Sequence, residues 1–363
     1  YYACIVGKYG AQVQALLKKL ASLPVEAILP LHGPVLTQEI GRCLELYDLW
    51  SSYRPEEPDR VLVAYASIYG HTKQAALALA EAKDQFQGTV YAFGTPAEEE
   101  NGAKIGMAAN GAFDGMSLAT MIHSWSGPAS ISDMDVLSLR CYLVEFKGVS
   151  AHAVAGPWKG HSALAAARKF IDLIDARREC FTPDVHVNSV FKESGLQPSI
   201  LPDRAVVRIE FRTDSMAKLE QVDEIIEKCA KGAAMALDCT VSFSKGTEDF
   251  ADMVRVPVLE DAVEDLLHEM GRASEPVRIP NGSSDVGNVS YHCPTIQPLL
   301  DICPEPFAPH THEFCAATIT DRAHQTIADG AEFLSAMALR VFNDEDFRRR
   351  VRASFEESLK AKQ

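Results

Sequence analysis

Three consecutive carboxylates, Glu98, Glu99 and Glu100, follow Gly94-Thr95-Pro96-Ala97 at the end of a short apolar run, Thr89–Gly94. In an open α/β sheet, ligands bind in the crevice beyond the carboxyl ends of the strands. Adjacent carboxylates there can divide two tasks, one binding a divalent metal and the other taking a proton from the attacking water. A solvated acidic loop is the plainer reading of the same residues. Three histidines stand in comparable settings. His123 ends the apolar run Leu118–Ile122, where an imidazole is costly unless hydrogen-bonded or ligating. His152 lies in Gly148-Val149-Ser150-Ala151-His152-Ala153, just past a strand, and His310 in Pro309-His310-Thr311-His312-Glu313-Phe314, ahead of a helix. Singly, each reads as a satisfied structural histidine. Together with a carboxylate pair they could form a mixed oxygen and nitrogen site of the kind zinc and manganese accept. Spacing does not establish that they converge.

These residues need elements to hold them. Residues 10–20 read as helix, 25–29 as a strand, His32-Gly33-Pro34 as a turn and 37–49 as helix. A polar, Pro-containing linker covers 51–60. Residues 61–65 form a buried-type strand running into Ser67-Ile68-Tyr69-Gly70-His71-Thr72 and an Ala-rich helix to about Ala82. Thr89–Gly94 reads as a second buried-type strand. From Leu137 the pattern is strand 137–146, helix 160–177, strands 185–190 and 205–212, helix 216–236 and strand 240–243. That order is β-α-β-β-α-β, the ferredoxin-like split unit, at an ordinary domain size. The α/β segments at 89–136 and 251–343 flank it, as expected of a domain inserted into a larger α/β body.

The 363 residues, 47% apolar and 23% charged, are enough for two or three domains with their own cores. No apolar run has the length of a membrane span. A net charge of −15 repels phosphate backbones, so nucleic acid is not an expected partner. Nine scattered cysteines without a CxxC pair fit reduced thiols and a cytoplasmic location. The chain opens on Tyr1 rather than Met, and the expectation is a truncated N-terminus.

From about Ala75 onward the chain resembles the metal-dependent amidohydrolases and dipeptidases, which include aminoacylase, aminobenzoyl-glutamate hydrolase and beta-alanyl-lysine dipeptidase. The matching stretches are Gly94–Glu99, Asn110-Gly111-Ala112-Phe113-Asp114, the His123 motif, Lys147–Ala163, Pro202-Asp203-Arg204-Ala205, the Arg212 strand, Gly282–Ser290 and His310–Phe314. The resemblance implies a zinc-peptidase-like catalytic domain carrying an inserted dimerisation domain, and hydrolysis of a small N-acyl amino acid or dipeptide. It implies Glu98 as general base and Glu99, His123 and His310 as ligands to one or two zinc or manganese ions. It further implies that His152 reaches a neighbouring subunit's site to polarise the scissile carbonyl, and that Arg212 holds the substrate carboxylate. Ser199, which replaces a family Asn, together with Ser283 and Asn288, is implied in substrate binding. The family's first metal motif, a Cys-Gly-His or an Asp-containing equivalent, has one candidate, Tyr69-Gly70-His71, in which Tyr stands where the bridging Cys would be. His71 is therefore a doubtful ligand and an incomplete metal site is expected.

Residues 1–72 resemble instead a flavodiiron protein at the join of its metallo-β-lactamase-like and flavodoxin domains. Leu31-His32-Gly33-Pro34 matches the last iron-ligand loop, Tyr47–Ser51 the approach to the linker, and Ser67–Thr72 a flavodoxin phosphate loop. No His-x-Glu-x-Asp-His cluster precedes His32, and the flavodoxin portion stops after one strand and one helix, so neither FMN nor a di-iron centre is expected. The expected organisation is 1–72 foreign fragment, 73–136 first catalytic part, 137–247 dimerisation domain and 248–363 second catalytic part. A homodimer through 137–247 is expected. A catalytically inactive chimeric fragment that still dimerises is the alternative.

Overall fold

The structure, a computed structural model, describes residues 10–20, 40–51, 88–277 and 282–362, with Leu23, Val25, Ala27 and Pro280. The chain divides into two compact units, Tyr1–Leu62 and Val63–Gln363. The strands expected at 25–29 and 61–65, the turn at His32, the linker beyond Ser51, the phosphate-loop segment and the Ala-rich helix lie wholly or largely outside the described residues.

In the first unit, helices α1 (Gly10–Leu20) and α2 (Ile40–Ser51) pack together. Gln14 Nε2 donates to Asp48 Oδ1 and to Ser51 Oγ, each at 2.8 Å, a polar tie beside buried Val13. The first helix keeps its expected bounds; the second starts and ends later than the pattern suggested.

The second unit begins, in its described part, with irregular chain from Gly88 to Ala97. The strand expected at Thr89–Gly94 is absent. A strand exists through its ladder partners, and no described segment pairs with these residues. Aromatic contacts hold the segment instead: Tyr91 stacks on Phe93 at 6.0 Å, and Phe93 meets Phe113 edge-on at 5.1 Å. Helix α3 (Ala103–Ala109) and short strands β1 (Ala119–Thr120), β2 (His123–Trp125) and β3 (Ser130–Ile131) complete the first part of the body.

The insert follows as β4 (Ser138–Lys147), β5 (Ala151–His152), α4 (Ala163–Arg177), β6 (His186–Glu193), β7 (Ile200–Leu201), β8 (Arg204–Thr213), α5 (Met216–Ala236) and β9 (Thr240–Lys245). Its main sheet runs β6-β8-β4-β9, antiparallel throughout, which is the ferredoxin-like order. Alternation along β4 and β8 turns Val144, Phe146, Val207, Ile209 and Phe211 toward the two helices, where Phe170, Leu219 and Ile226 close the core. Ser162 caps α4 by accepting the Ala165 N–H at 3.2 Å. Arg140, on the same face of β4, bonds to Glu220, Asp223 and Asp249.

The body resumes with α6 (Pro257–Glu269), β10 (Ser274–Glu275), α7 (Val286–Ser290), β11 (Thr295–Ile296), β12 (Leu299–Asp301), α8 (His312–Ala317), α9 (Asp321–Asn343) and α10 (Glu345–Lys362). Its sheet runs β10-β3-β12-β2, with β12 parallel to β2 and antiparallel to β3; β1 pairs with β11 in parallel. Strands from the two parts of the body thus interleave across the insertion. Helices α6, α9 and α10 cover the sheet through Leu259, Leu267, Phe333, Met337, Phe347 and Phe355. The insert joins the body at a narrow neck, where Leu139 and Phe250 exchange both backbone hydrogen bonds, at 2.9 and 3.0 Å. No helix among the described residues is long and apolar enough to cross a membrane.

Candidate functional site

The carboxylate loop is shaped by Ala97, whose φ of 61° is left-handed and uncommon for a residue with a Cβ. Its carbonyl accepts the N–H groups of Glu100, Asn101 and Gly102 at 3.2, 3.1 and 2.7 Å. This tight turn presents Glu98, half-buried, and Glu99, exposed. His310 is also left-handed, with φ 61°, and the following Thr311 caps α8 through the Phe314 N–H at 3.3 Å. The two strained turns face each other: Glu99 Oε2 lies 3.9 Å from His310 Nε2. Strained backbone held at a pair of polar side chains is a feature of functional sites.

His123 opens β2 and is half-buried, with its N–H on the Pro298 carbonyl at 3.0 Å. Its Nδ1 lies 2.7 Å from the Ser124 carbonyl. A carbonyl only accepts, so Nδ1 carries the proton and Nε2 keeps its lone pair, the arrangement in which metal-ligating histidines are commonly held. Two ligands each about 2.1 Å from one zinc ion stand roughly 3–4 Å apart, so the Glu99–His310 separation suits a shared divalent ion. In donor type and tautomer these three residues fit such an ion. Among the described residues, however, no three His, Cys, Asp or Glu side chains gather closely enough to hold one. The structure pairs Glu99 with His310 and leaves His123 outside that pair. His71 lies outside the described residues.

His152 sits elsewhere, in the insert, on a loop whose stem is unusually tight. Val149 and His161 bridge, and a Cβ on Gly148 would come within 2.0 Å of the His161 carbonyl oxygen, so only glycine fits there. The strand pair β5–β7 sets His152 opposite Ile200, and the Ala153 N–H bonds to the Ser199 carbonyl at 2.9 Å, placing Ser199 beside His152. The imidazole is exposed, and its Nδ1 accepts the N–H groups of Val154 and Ala155, both at 3.1 Å.

The remaining expected contacts fare unequally. Arg212 on β8 directs Nε and Nη2 onto Glu210 Oε1, at 3.2 and 2.6 Å, so part of its fork is already occupied. Ser283 Oγ is buried without a partner among the described residues. Asn288 has a structural task in place of the substrate contact: Oδ1 accepts the Ala251 N–H at 3.0 Å and Nδ2 donates to the Asp249 carbonyl at 3.2 Å. Its neighbours share that task. A Cβ on Gly287 would lie 1.9 Å from the Ala251 carbonyl oxygen, and Ser290 Oγ accepts the Val254 N–H at 2.8 Å. The Gly-Asn-Val-Ser run therefore clamps the chain where it re-enters the body. Its amide and glycine resembled a ligand motif because close backbone approach needs the same residues.

Sequence reasoning missed two buried groups. Lys104 bonds Asp285 twice, Nζ to Oδ1 at 2.6 Å and backbone N–H to Oδ2 at 3.0 Å, and both residues are buried. Asp133 is enclosed, with Oδ1 accepting the N–H groups of Gln297 and Met134 at 2.7 and 2.8 Å and Oδ2 unpartnered. Burial first, and then the nearby Glu260 carboxylate, outweigh those hydrogen bonds and push its carboxyl up to about 8. The alternating charges around Lys104 and Asp133 gave no sequence signal, since each partner comes from a distant part of the body.

Residues 138–236 match the peptidase dimerisation domain family. Human Xaa-Arg dipeptidase is 29% identical over 279 residues, 76% of this chain and 63% of that protein, so the chain spans just under two thirds of this relative's length. The fold matches an aminobenzoyl-glutamate utilization protein from Klebsiella pneumoniae at TM-score 0.60 and 19% identity, covering 93% of this chain and 92% of that one. It also matches a dinuclear metal binding peptidase from Bacillus subtilis at TM-score 0.53 and 16% identity, covering 75% and 71%. A separate likeness, 34% over 80 residues, links 22% of the chain to 13% of a putative diflavin flavoprotein of Synechocystis. The resemblance drawn from the motifs, and the mixed α/β class with its dimerisation domain, are borne out by these matches.

Proposed function

We propose that the second unit is a metal-dependent hydrolase of the amide bond in a small N-acyl amino acid or dipeptide, acting as a homodimer through residues 137–247. The observation that carries this reading is the approach of Glu99 to His310 at 3.9 Å, from loops at opposite ends of the body. The relationship to a dipeptidase and the fold shared with a dinuclear metal binding peptidase support it. Glu99, His310 and His123 would hold a zinc or manganese ion, which when bound supplies positive charge to polarise water and the scissile carbonyl. Glu98, next to Glu99 on the same turn, takes the proton of the attacking water and delivers it to the leaving amine. His152, from the neighbouring subunit, donates a hydrogen bond to the carbonyl oxygen as charge develops there. Arg212 receives the substrate carboxylate when Glu210 yields its place on the fork.

Elemental analysis of the purified chain, combined with turnover of dipeptides and N-acyl amino acids, tests the reading. About one or more zinc or manganese ions per chain with hydrolysis is the expected outcome. Neither metal nor turnover from an intact dimer would leave a dimerising protein without hydrolase activity, and flavin absorbance would redirect attention to the first unit.

A further inference from the structure

The two backbone N–H groups aimed at one ring nitrogen of His152 determine more than its orientation. An N–H donates, so Nδ1, accepting from Val154 and Ala155 at 3.1 Å each, must carry a lone pair. We infer that the turn 152–156 is a positioning device that holds His152 as the neutral imidazole with its proton on Nε2, and so fixes it as a hydrogen-bond donor. The inference rests on the role proposed above for His152 and adds which atom performs it and what sets that atom's proton.

The geometry is redundant in the way a locked tautomer requires. The Nδ1–H form would leave two amide donors unmet and bring three N–H groups together, costing on the order of 1–3 kcal/mol per unmet group where water is excluded. The turn is closed independently of the ring, since the Gly156 N–H bonds to the His152 carbonyl at 3.3 Å and the Lys159 N–H to the Gly156 carbonyl at 3.1 Å. Its base is fixed by the β5–β7 pair. The donors therefore stay in place while the ring responds to them. Among the described residues Nε2 has no partner, so the one remaining proton faces outward from the insert. Around the ring stand the exposed apolar side chains Val154, Trp158 and Leu196, 82%, 77% and 97% accessible. When a second copy covers this surface, a donor ringed by apolar groups loses water and bonds more strongly to a developing oxyanion. A histidine so held polarises a carbonyl and cannot serve as a base through Nδ1, which separates its task from that of Glu98.

Long-range proton–nitrogen correlation on the full chain labelled with ¹⁵N-histidine tests this directly, with His152 assigned by its loss in His152→Gln. The expected spectrum near neutral pH shows an unprotonated Nδ1 and a protonated Nε2; a protonated Nδ1 overturns the inference whatever the activity. A second arm reads turnover. Glutamine places an N–H close to the Nε2 position, so His152→Gln should retain at least about tenfold more kcat than His152→Ala, which loses roughly 10²–10³-fold. Equal loss in the two variants would count against a donor at that atom. Ala155→Pro removes one of the two N–H donors and should move the ring toward the Nδ1–H form while the dimer persists; an unchanged ring spectrum would refute the control by the turn. Absence of all turnover, with the expected spectrum, would reject the hydrolase reading and leave the tautomer assignment standing.

Discussion

Lys104 Nζ lies 2.6 Å from Asp285 Oδ1 with both side chains closed off from solvent, joining α3 to the chain just before α7. Removing either partner alone leaves a buried charge without its counterion, which typically costs about 3–5 kcal/mol. Lys104→Met should lower the unfolding free energy by roughly that amount, and Lys104→Met combined with Asp285→Asn should recover part of it. Urea unfolding of the two single variants and the double variant measures the coupling; additive losses would deny the pair.

Asp133 gives stability a pH dependence of unusual sign for a carboxyl. Its folded value, about 8, lies above the ordinary value of about 3.9. The folded state thus binds the proton more tightly, and the stability it contributes is complete below about pH 4 and lost as pH rises through about 8. The slope should approach a ceiling of about 1.4 kcal/mol per pH unit between pH 5 and pH 7. Asp133→Asn keeps an acceptor for the Gln297 and Met134 N–H groups and should flatten that slope. Denaturant midpoints measured across this range would show an unchanged slope if the assignment were wrong.

Glu98 and Glu99 are neighbours with different expected tasks, and amide replacement separates them. Glu98→Gln should lower kcat by about 10²–10⁴-fold while leaving metal content intact. Glu99→Gln should lower metal content as well. Metal loss in the first variant, or full activity in it, would reverse or remove the assignment.

The clamp around Asn288 predicts an effect on folding in place of one on substrate affinity. Asn288→Ala leaves the Ala251 N–H and the Asp249 carbonyl unpaired, a cost of about 1–3 kcal/mol, with KM unchanged. Arg212→Lys should do the opposite, weakening substrate binding through loss of the planar fork while sparing stability. Thermal unfolding and steady-state kinetics on the same preparations distinguish the two patterns.

How much of this was legible depended on whether a signal was local. The insert's elements could be read to within a few residues because alternation in β4 and β8 and the helical stripe of α5 are each set by one buried face. Thr89–Gly94 carries the same apolar composition as a buried strand, yet its conformation is decided by ladder partners that composition does not report. The pairing of Glu99 with His310 could be expected from the family motifs and not from spacing, because it depends on two left-handed turns in distant loops. Nothing near Asn288 distinguishes an amide that meets substrate from one that clamps backbone; only the approach of the 249–251 segment does so.

The neck at Leu139 and Phe250 also governs how the two folded bodies of the second unit depend on each other. Chain leaves and returns there side by side, so to the body the whole insert is a single closed loop. Loop-closure entropy grows only logarithmically with length, and the body would therefore feel little difference between a folded insert, an unfolded one and a short linker in its place. The insert, with its own enclosed core and adjacent ends, has what an autonomously folding, transplantable module needs.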